Sequence, residues 1–473
     1  MSEPTLGRQL AAFAVRAARD GVPEPVATSV RQRTLDILGL AVAAHRLETS
    51  SMILGHVLDQ GGHAQAIAVG LPDRVTAAQA ALVNGVLAHS LDYDDTHLPS
   101  VLHPSACVVP AALAAGEHAH ASGETVVRAV AVGLEVAVRL GMAGYDEALG
   151  NSVFFEHGQH ATSITGAMGA AVAASLAYGA DEDGVLHALG LTASMASGII
   201  EANRTGGTVK RLHCGLAAQA GVTAAQLARR GFTGPPTVLE GRFGFFEAWL
   251  HGQYDAGQVT DGLGETWAVP GIFFKPYPAN HFTHAIVDAG LALRARGVRP
   301  EDVASVRIGV AGAVIRTIGE PIETKRTPVT GYQAQFSGPY AVAAGLFGGG
   351  GLGVGLEDYS DDLAQDPARR ALMATVEVAA DPRCDAIFPH QFPAIVTVVT
   401  TSGDELVEEV LANRGGPERP LSDDELARKF TDNVAGRLAD AGATAVRSDI
   451  LDLSHATDLA DVLEPLRHLK ETP

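Results

Sequence analysis

Apolar residues recur every three to four positions through the first half of the chain, with Gly or Asp between the runs. This spacing is typical of amphipathic helices that pack around a core. Many runs are rich in Ala, Gly and Ser, which lets neighbouring helix backbones approach closely. The first half is therefore predicted to be an all-α domain, with helices at about 24–46, 75–91, 104–122, 123–141, 161–179, 181–198 and 213–231.

The pattern changes after a Gly- and Pro-containing segment at 254–278. Helical runs then alternate with β-rich runs at 303–314, 372–381 and 394–411, and the last run predicts a hairpin around Ser402-Gly403. These runs indicate a second, α+β domain. After Pro420 the pattern returns to amphipathic helix, with an N-cap at 421–423, and we expect these helices to pack on the N-terminal ones.

Composition and charge exclude several classes of partner. The chain has 473 residues, 47% of them hydrophobic, which is enough to bury two cores. Its net charge of −20, without a basic cluster, opposes binding to nucleic acid or to an anionic membrane. No apolar run has the length of a spanning helix, and three cysteines without a pairing pattern argue against a disulfide framework. We expect a soluble, cytoplasmic protein.

Lysine is rare: the chain has five lysines against 29 arginines. Lys325, Lys429 and Lys470 lie in charged or polar surroundings and are expected at the surface. Lys210 and Lys275 lie instead in loops of Gly, Pro and aromatic residues. A flexible ammonium group there can meet a carboxylate as a point charge, so these two lysines are candidates for function.

The densest polar cluster is HSLDYDDTHLPSVLHPS at 89–105, between two apolar helices. An ordinary helix connection can have this composition, but His103 stands directly before Pro104, and Pro favours the first position of a helix. This predicts His103 at the N-cap of the following helix. A helix N-terminus attracts anions, and a histidine there can exchange a proton with them.

The same arrangement recurs at two other helices. His160 directly precedes a helix of small residues, and Lys210 lies three residues before the helix that begins near His213. Three such ends predict one pocket for a multiply charged anion. Lys275 is a fourth candidate, because Pro276 holds it extended at the domain junction, where ligand clefts commonly form.

The acidic cluster has two other interpretations. A metal site has oxygen and nitrogen ligands available, but no HExxH, CxxC or EF-hand spacing is present and the lysines would repel a cation. The string Asp92-Tyr93-Asp94-Asp95-Thr96 also matches the acid of class II terpene cyclases, which need an aromatic cavity; this chain is only 5% aromatic. We therefore predict no metal. The candidate metal ligands were Asp92, Asp94, Asp95, His97 and His103.

Six motifs, in order, together resemble the MmgE/PrpD family over about residues 5–460. They are HSLDYDDTHLPSVLHPS, GQHATSITGAMGAA, TVKRLHCGLAAQAG followed by GFTGP, FKPYPANHFTHAIVDA, QFSGPYAVAAGL and NRGGPERPLSDDELARKF. Members of that family include 2-methylcitrate dehydratase, cis-aconitate decarboxylase and iminodisuccinate epimerase. The resemblance implies an all-α main domain plus an α+β lid domain, a homodimer and no cofactor. The main domain would comprise 1–269 and 414–473, and the lid 270–413.

The resemblance also implies a set of site residues. Lys210 and Lys275 would hold carboxylates, and His103 and His160 would transfer protons. Tyr340 would donate to the leaving or reacting oxygen. The remaining residues, which would orient a histidine or bind substrate, are Asp92, Thr96 and His284.

The function implied is a lyase that acts on a small di- or tricarboxylate by general acid/base catalysis. The reaction would be a 2-methylcitrate-like dehydration or a cis-aconitate-like decarboxylation. The stretch between Thr96 and His103 lacks the Trp-Asp-Phe-Asn-Asp string of long-form 2-methylcitrate dehydratases, so the chain is closer to the shorter branch. An epimerase of an iminodisuccinate-like dicarboxylate, and a metabolite-binding protein without turnover, are the alternatives. The sequence leaves the substrate, and the acid and base roles of the histidines, open.

Overall fold

The computed structural model describes residues 4–202 and 206–470 and divides the chain into two compact units. The first comprises Met1–Ile272 and Phe430–Pro473, and the second comprises Phe273–Lys429. The chain thus returns to the first unit later than residue 413, inside a helix. We describe each unit by itself.

The first unit is helical. The shorter helical segments in it are Val153–Glu156, Phe245–Leu250, Gly257–Thr260 and Leu459–Leu463. A hairpin of two-residue strands, β1 (Tyr145–Asp146) and β2 (Asn151–Ser152), was not predicted, because strands this short carry no alternating pattern. The long helices before residue 230 are α1 (Leu6–Asp20), α2 (Glu24–Ala43), α3 (Glu48–Gln60), α4 (Ala77–His89), α5 (Ser105–Ala119), α6 (Gly123–Ala143), α7 (Ala161–Ala177), α8 (Glu182–Thr192) and α9 (His213–Ala228).

Glycine contacts bring helices of this unit close together, as the small-residue pattern predicted. Helices α4 and α9 cross at Gly85 and Gly215, where a Cβ atom on Gly85 would lie 2.8 Å from the Cα atom of Gly215. Such a contact is shorter than van der Waals separation, so only glycine fits there. The crossing sets the last residue of α4, His89, beside the start of α9, which is His213.

The second unit contains a four-stranded mixed sheet with helices packed on it. Its order is β4-β3-β5-β6; β3 pairs with β4 in parallel and with β5 antiparallel, and β5 and β6 form the predicted hairpin. The predicted runs 303–314 and 372–381 extend beyond the strands, because helices occupy one end of each. The strands are β3 (Val303–Val310), β4 (Val376–Ala380), β5 (Ala394–Thr400) and β6 (Glu405–Val410).

Helices α10 (His284–Ala295) and α11 (Gly338–Phe347) pack on each other, and α10 also packs on β5 and β6. Their apolar faces and the inner face of the sheet share one core, which includes Ile286, Ile308 and Val396. Helix α12 (Pro367–Ala374) packs on α11. The short helices of this unit are Gly312–Ile318, Ile322–Arg326, Gly331–Ala334, Asp361–Ala364 and Pro382–Asp385.

The C-terminal helices are α13 (Asp423–Val434) and α14 (Asp440–Leu451). Ser422 begins α13 as predicted: its hydroxyl accepts from the Glu425 backbone N–H at 3.2 Å, and the Glu425 carboxylate accepts from the Ser422 N–H at 2.8 Å. Within the first unit α14 packs on α2, as expected.

Two of the three lysines expected at the surface are not exposed. Lys429 is only 2% exposed, because it lies three residues after the buried Leu426 on the same face of α13. Lys325 is half-buried, and its Nζ atom donates to the Phe336 carbonyl at 2.9 Å. Lys470 is exposed as predicted. Polar residues next to a lysine in the sequence therefore did not predict whether that lysine is exposed.

Among the described residues, none of the helices is both long and apolar enough to cross a membrane by itself. The segments Glu24–Arg46 and Glu48–Gln60 meet the length and composition test only when taken together, and they are bent by 99°.

Candidate functional site

The starts of α5, α7 and α9 meet inside the first unit. The His103 backbone N–H donates to Oγ1 of Thr162 at 3.2 Å, which joins the start of α5 to that of α7. The Ser163 hydroxyl donates to the His213 carbonyl at 3.1 Å, which joins α7 to α9. The three helix N-termini that were predicted to converge are thus together.

Within the described ranges, the residues at the N-caps of these three helices, Pro104, His160 and Leu212, provide no side-chain cap. The first N–H groups of a helix have no partner inside it, and two of them here have one outside it: the Ser105 N–H of α5 donates to Oδ1 of Asp95 at 3.3 Å, and the His213 N–H of α9 donates to the Lys210 carbonyl. His160 is the N-cap of α7 as predicted. His103 lies one residue earlier than predicted, because Pro104 occupies the N-cap, and Lys210 lies in a 3-10 turn leading into α9.

The hydrogen bonds of His103 determine which of its nitrogens carries the proton. Its Nδ1 atom lies 2.7 Å from the Asp95 backbone oxygen and 3.3 Å from Oγ1 of Thr96. A carbonyl oxygen only accepts, so Nδ1 bears a proton, and in the neutral form of the ring Nε2 carries the lone pair. The buried His103 is therefore built to take up a proton at Nε2.

His160 and His213 form a buried pair whose Nδ1 atoms are 2.9 Å apart. Burial and the cationic groups around it, led by His89, hold the pKa of His160 well below its usual range. Burial, His89 and Lys210 lower the pKa of His213 to about 4. Both rings are thus neutral at pH 7, and one proton lies between the two Nδ1 atoms.

Each of the three carboxylates in the sequence DYDD has a cationic partner. The partner of Asp95 is Arg33, whose guanidinium also donates to the Ile272 carbonyl. This pair therefore joins two buried parts of the helical unit. A cationic partner favours the ionised form of a carboxylate, but burial outweighs Arg33 at Asp95 and raises the pKa of that carboxyl above its usual range. The pairs are Asp92 with Lys210 (3.3 Å), Asp94 with His89 (2.8 Å) and Asp95 with Arg33 (2.7 Å).

The buried groups His89, Asp94 and Cys214 have ligand atoms within 4.8 Å of one another, which is the one set of metal-binding residue types found among the described residues. The hydrogen bond from His89 to Asp94 already accounts for those two. Burial raises the pKa of the Cys214 thiol well above its usual range. We therefore interpret this group as an ion pair beside a thiol.

Two residues of the polar loop have left-handed backbone conformations without being glycine. Asp92 has φ of 51° and Val101 has φ of 52°. Such a conformation is disfavoured, most of all for a β-branched residue, and it persists only where the surroundings hold it. Both residues lie in the loop that carries Asp92, Thr96 and His103. The backbone is thus constrained where the candidate residues are placed.

The other three predicted residues belong to the second unit. Lys275 is 1% exposed. His284 donates from Nε2 to the Ala279 carbonyl at 3.1 Å, and its ring stacks on His281 with centroids 4.5 Å apart. The hydroxyl of the buried Tyr340 donates to the Asp358 carbonyl, so its single proton is engaged inside this unit.

Sequence reasoning had not assigned His89 and His213 to the site. The ring centroid of His89 lies 5.3 Å from that of His103 and 6.0 Å from that of His160. Both histidines stand inside motifs that had been singled out: His89 opens the polar cluster, and His213 follows Lys210 in TVKRLHCG. The motifs that contain these two histidines are visible in the sequence, but only the packing of the helices brings their rings close to His103 and His160.

Comparisons with known proteins agree with the motifs. Residues 8–256 match the model of the MmgE/PrpD N-terminal domain, and residues 277–453 match that of the MmgE/PrpD C-terminal domain. Cis-aconitate decarboxylase of Mus musculus is 28% identical over 447 residues, which cover 93% of this chain and 88% of that protein. The Homo sapiens protein of that name is 30% identical, and the match covers 78% of this chain and 75% of that protein. A cis-aconitate decarboxylase from Aspergillus terreus is 26% identical, and the match covers 98% of this chain and 96% of that protein. The chain belongs to the MmgE/PrpD family.

Proposed function

We propose that this protein is a cofactor-independent lyase that decarboxylates a small tricarboxylate of the cis-aconitate type. The observation that carries the proposal is the meeting of three helix N-termini with His103, His160 and Lys210. The similarity to cis-aconitate decarboxylases over most of the chain supports the choice of substrate class.

The helix ends and Lys210 would bind the substrate's carboxylates. The positive ends of α5, α7 and α9 offer favourable potential to an anion placed beside them. The Nζ atom of Lys210 lies 3.3 Å from Asp92, which is longer than the 2.7 Å of the Arg33–Asp95 pair, and the lysine side chain retains some exposure. Lys210 is thus the cation of this group best suited to accept a second carboxylate.

Loss of CO₂ breaks a C–C bond and leaves the electron pair on the remaining carbon, which must then take up a proton. His103 is suited to deliver it: once protonated at Nε2 it keeps its Nδ1–H bond to Asp95, and the Nε2 proton passes to the carbon. His160, neutral and buried, would donate a hydrogen bond to the oxygens on which negative charge develops. Solvent then restores the His103 proton.

Dehydration of a citrate-like acid is the second candidate, and the Nε2 lone pair of His103 favours it. That nitrogen can take the proton from a C–H bond next to a carboxylate. The imidazolium so formed can return the proton to the hydroxyl, which leaves as water. The same residue therefore serves either reaction, and the substrate's own leaving group decides between them.

The reaction can be identified by NMR in D₂O with four acids supplied separately: cis-aconitate, citrate, 2-methylcitrate and iminodisuccinate. Decarboxylation releases CO₂ and places one deuterium in the product, dehydration forms an alkene, and epimerisation only exchanges a C–H bond. We expect decarboxylation of cis-aconitate, and its loss in His103→Gln but not in His157→Gln, since His157 is exposed. Turnover of none of the four acids would contradict the proposal and favour a binding protein.

A further inference from the structure

His160 has little freedom apart from rotation of its ring. Its backbone N–H donates to the Gly198 carbonyl at 3.0 Å. A Cβ atom on Gly198 would lie 3.3 Å from Cβ of His160, so this backbone packs closely against the histidine. His213, at the start of α9, is held in turn by Ser163 through its carbonyl oxygen. The contact between the two Nδ1 atoms therefore joins two anchored residues.

The shared proton makes the two rings complementary. If His213 holds it on Nδ1, then Nδ1 of His160 accepts and the proton of the His160 ring is on Nε2. If His160 holds it on Nδ1, its Nε2 has only a lone pair. Because Nδ1 is engaged with His213, Nε2 is the nitrogen of His160 left for a substrate. The ring of His213 thus decides whether His160 meets a substrate as donor or acceptor.

We infer that His213 is a positioning residue, which donates its Nδ1–H to His160 and so fixes the orientation of that ring and holds its proton at Nε2. This inference rests on the proposed function, in which His160 must donate to a developing negative charge. A neutral imidazole can do so only from the nitrogen that bears its proton. A neighbour that selects the nitrogen is therefore part of the reaction's machinery without touching the substrate.

The charges around the pair favour this arrangement. Burial lowers the pKa of His160 most, and His89, His213, Lys210 and His103 lower it further, so an imidazolium that would donate from both nitrogens is disfavoured. Asp94 is engaged by His89 and Asp92 by Lys210. With the ring neutral, the hydrogen-bond partner at Nδ1 becomes the feature that sets where the single proton resides.

Two substitutions of His213 separate positioning from packing. In His213→Asn the side-chain amide can still donate near the position of Nδ1, whereas His213→Leu fills space but offers no donor. We expect His213→Leu to lower kcat by about 100-fold, the effect of losing one preorganised donor, with KM unchanged. His213→Asn should restore much of the rate. The matched control is His251→Asn, at an exposed histidine that also contacts another histidine, His157.

The proton position can be measured independently of turnover. In protein labelled with ¹⁵N-histidine, the His160 signals, assigned with His160→Gln, should show a proton on Nε2 in the unchanged chain and in His213→Asn. In His213→Leu the His160 ring should populate both tautomers, with the proton on Nδ1 in some molecules and on Nε2 in others. Equal loss of kcat in both His213 variants, or an unaltered His160 spectrum in His213→Leu, would overturn the inference. Absence of turnover in the unchanged chain would refute the proposed function instead, while the spectra would still test His213.

Discussion

The Nδ1 atom of His89 lies 2.8 Å from Oδ2 of Asp94, and both side chains are buried in the helical unit. Burial opposes a charged imidazole, but the Asp94 carboxylate, with Cys214 nearby, outweighs it and raises the pKa of His89 to about 10. A positive charge therefore lies next to His103 and His160 and adds to the effect of burial, which is the main reason that the pKa values of His160 and His213 are lowered.

Replacing Asp94 with Asn should destabilise the protein in a pH-dependent way. Removing one partner of a buried ion pair costs about 3–5 kcal/mol. Because the pKa of His89 is raised on folding, its contribution is fully present below about pH 6.5 and is lost as pH rises through about 10. The difference in urea midpoint between the unchanged chain and Asp94→Asn should thus be large at pH 6 and small at pH 10.5. The exposed Asp59→Asn is the control, and a pH-independent difference would contradict the ion pair.

Lys210→Arg should lower activity although the charge is kept. The planar guanidinium is larger than an ammonium group and spreads its charge over a fork, so it would misplace a carboxylate. A displacement of about 1 Å can cost on the order of 100-fold in rate, and we expect a loss of kcat/KM of that size. Lys470→Arg, at an exposed lysine, should retain full activity. Equal activity in both variants would show that Lys210 is not required as a lysine.

Lys275→Arg should affect folding as well as activity. The sequence predicts Lys275 in a loop at the domain junction, but its side chain is almost completely buried in the second unit. Inserting a larger group into a packed interior typically costs about 1–3 kcal/mol. Thermal unfolding should therefore begin at a lower temperature than in Lys470→Arg. An unchanged unfolding temperature would indicate space around Lys275 that the structure does not show.

Gly198→Ala should reduce kcat by displacing His160. Gly198 has φ of +145°, and a Cβ atom there would lie 3.0 Å from Cβ of Ser163 and 3.3 Å from Cβ of His160. Gly179→Ala is a matched control, because Gly179 also has positive φ, at +73°, but no atom lies within 4 Å of its added Cβ. Both variants should lose more than about 1 kcal/mol of stability because of positive φ, Gly198→Ala the more of the two because of its contacts, and only Gly198→Ala should lose activity. Equal activity in Gly198→Ala and Gly179→Ala would show that contact between residue 198 and His160 does not affect the reaction.

Prolonged chelation should leave turnover intact. Each carboxylate of the DYDD string is paired with a side-chain cation, so charge on a bound polycarboxylate would be balanced by lysine and helix termini. Activity should be measured after dialysis against EDTA and again after adding Mg²⁺, Mn²⁺ or Zn²⁺. Activity that is lost and returns only with one of these ions would revive the metal interpretation.

The sequence by itself determined the local elements. Helix periodicity placed α2, α4, α5, α6, α7 and α9 near their observed positions, because a 3.6-residue pattern reflects which side chains each helix buries. The β5–β6 hairpin and the Ser422 cap were also predictable, since both depend on residues close together in the chain. So were His103, His160 and Lys210, because each adjoins a helix start.

Only the tertiary structure decided which side chains face each other. The sequence does not distinguish the three aspartates of the DYDD string. In the structure each forms an ion pair with a different cation: Asp92 with Lys210, Asp94 with His89 and Asp95 with Arg33. Lys210 is 118 residues from Asp92, and His213 is 53 from His160, so no local pattern carries either pairing. These contacts depend on where α4, α7 and α9 cross, and the crossing of α4 and α9 permits only glycine at Gly85 and Gly215 because the two backbones touch there.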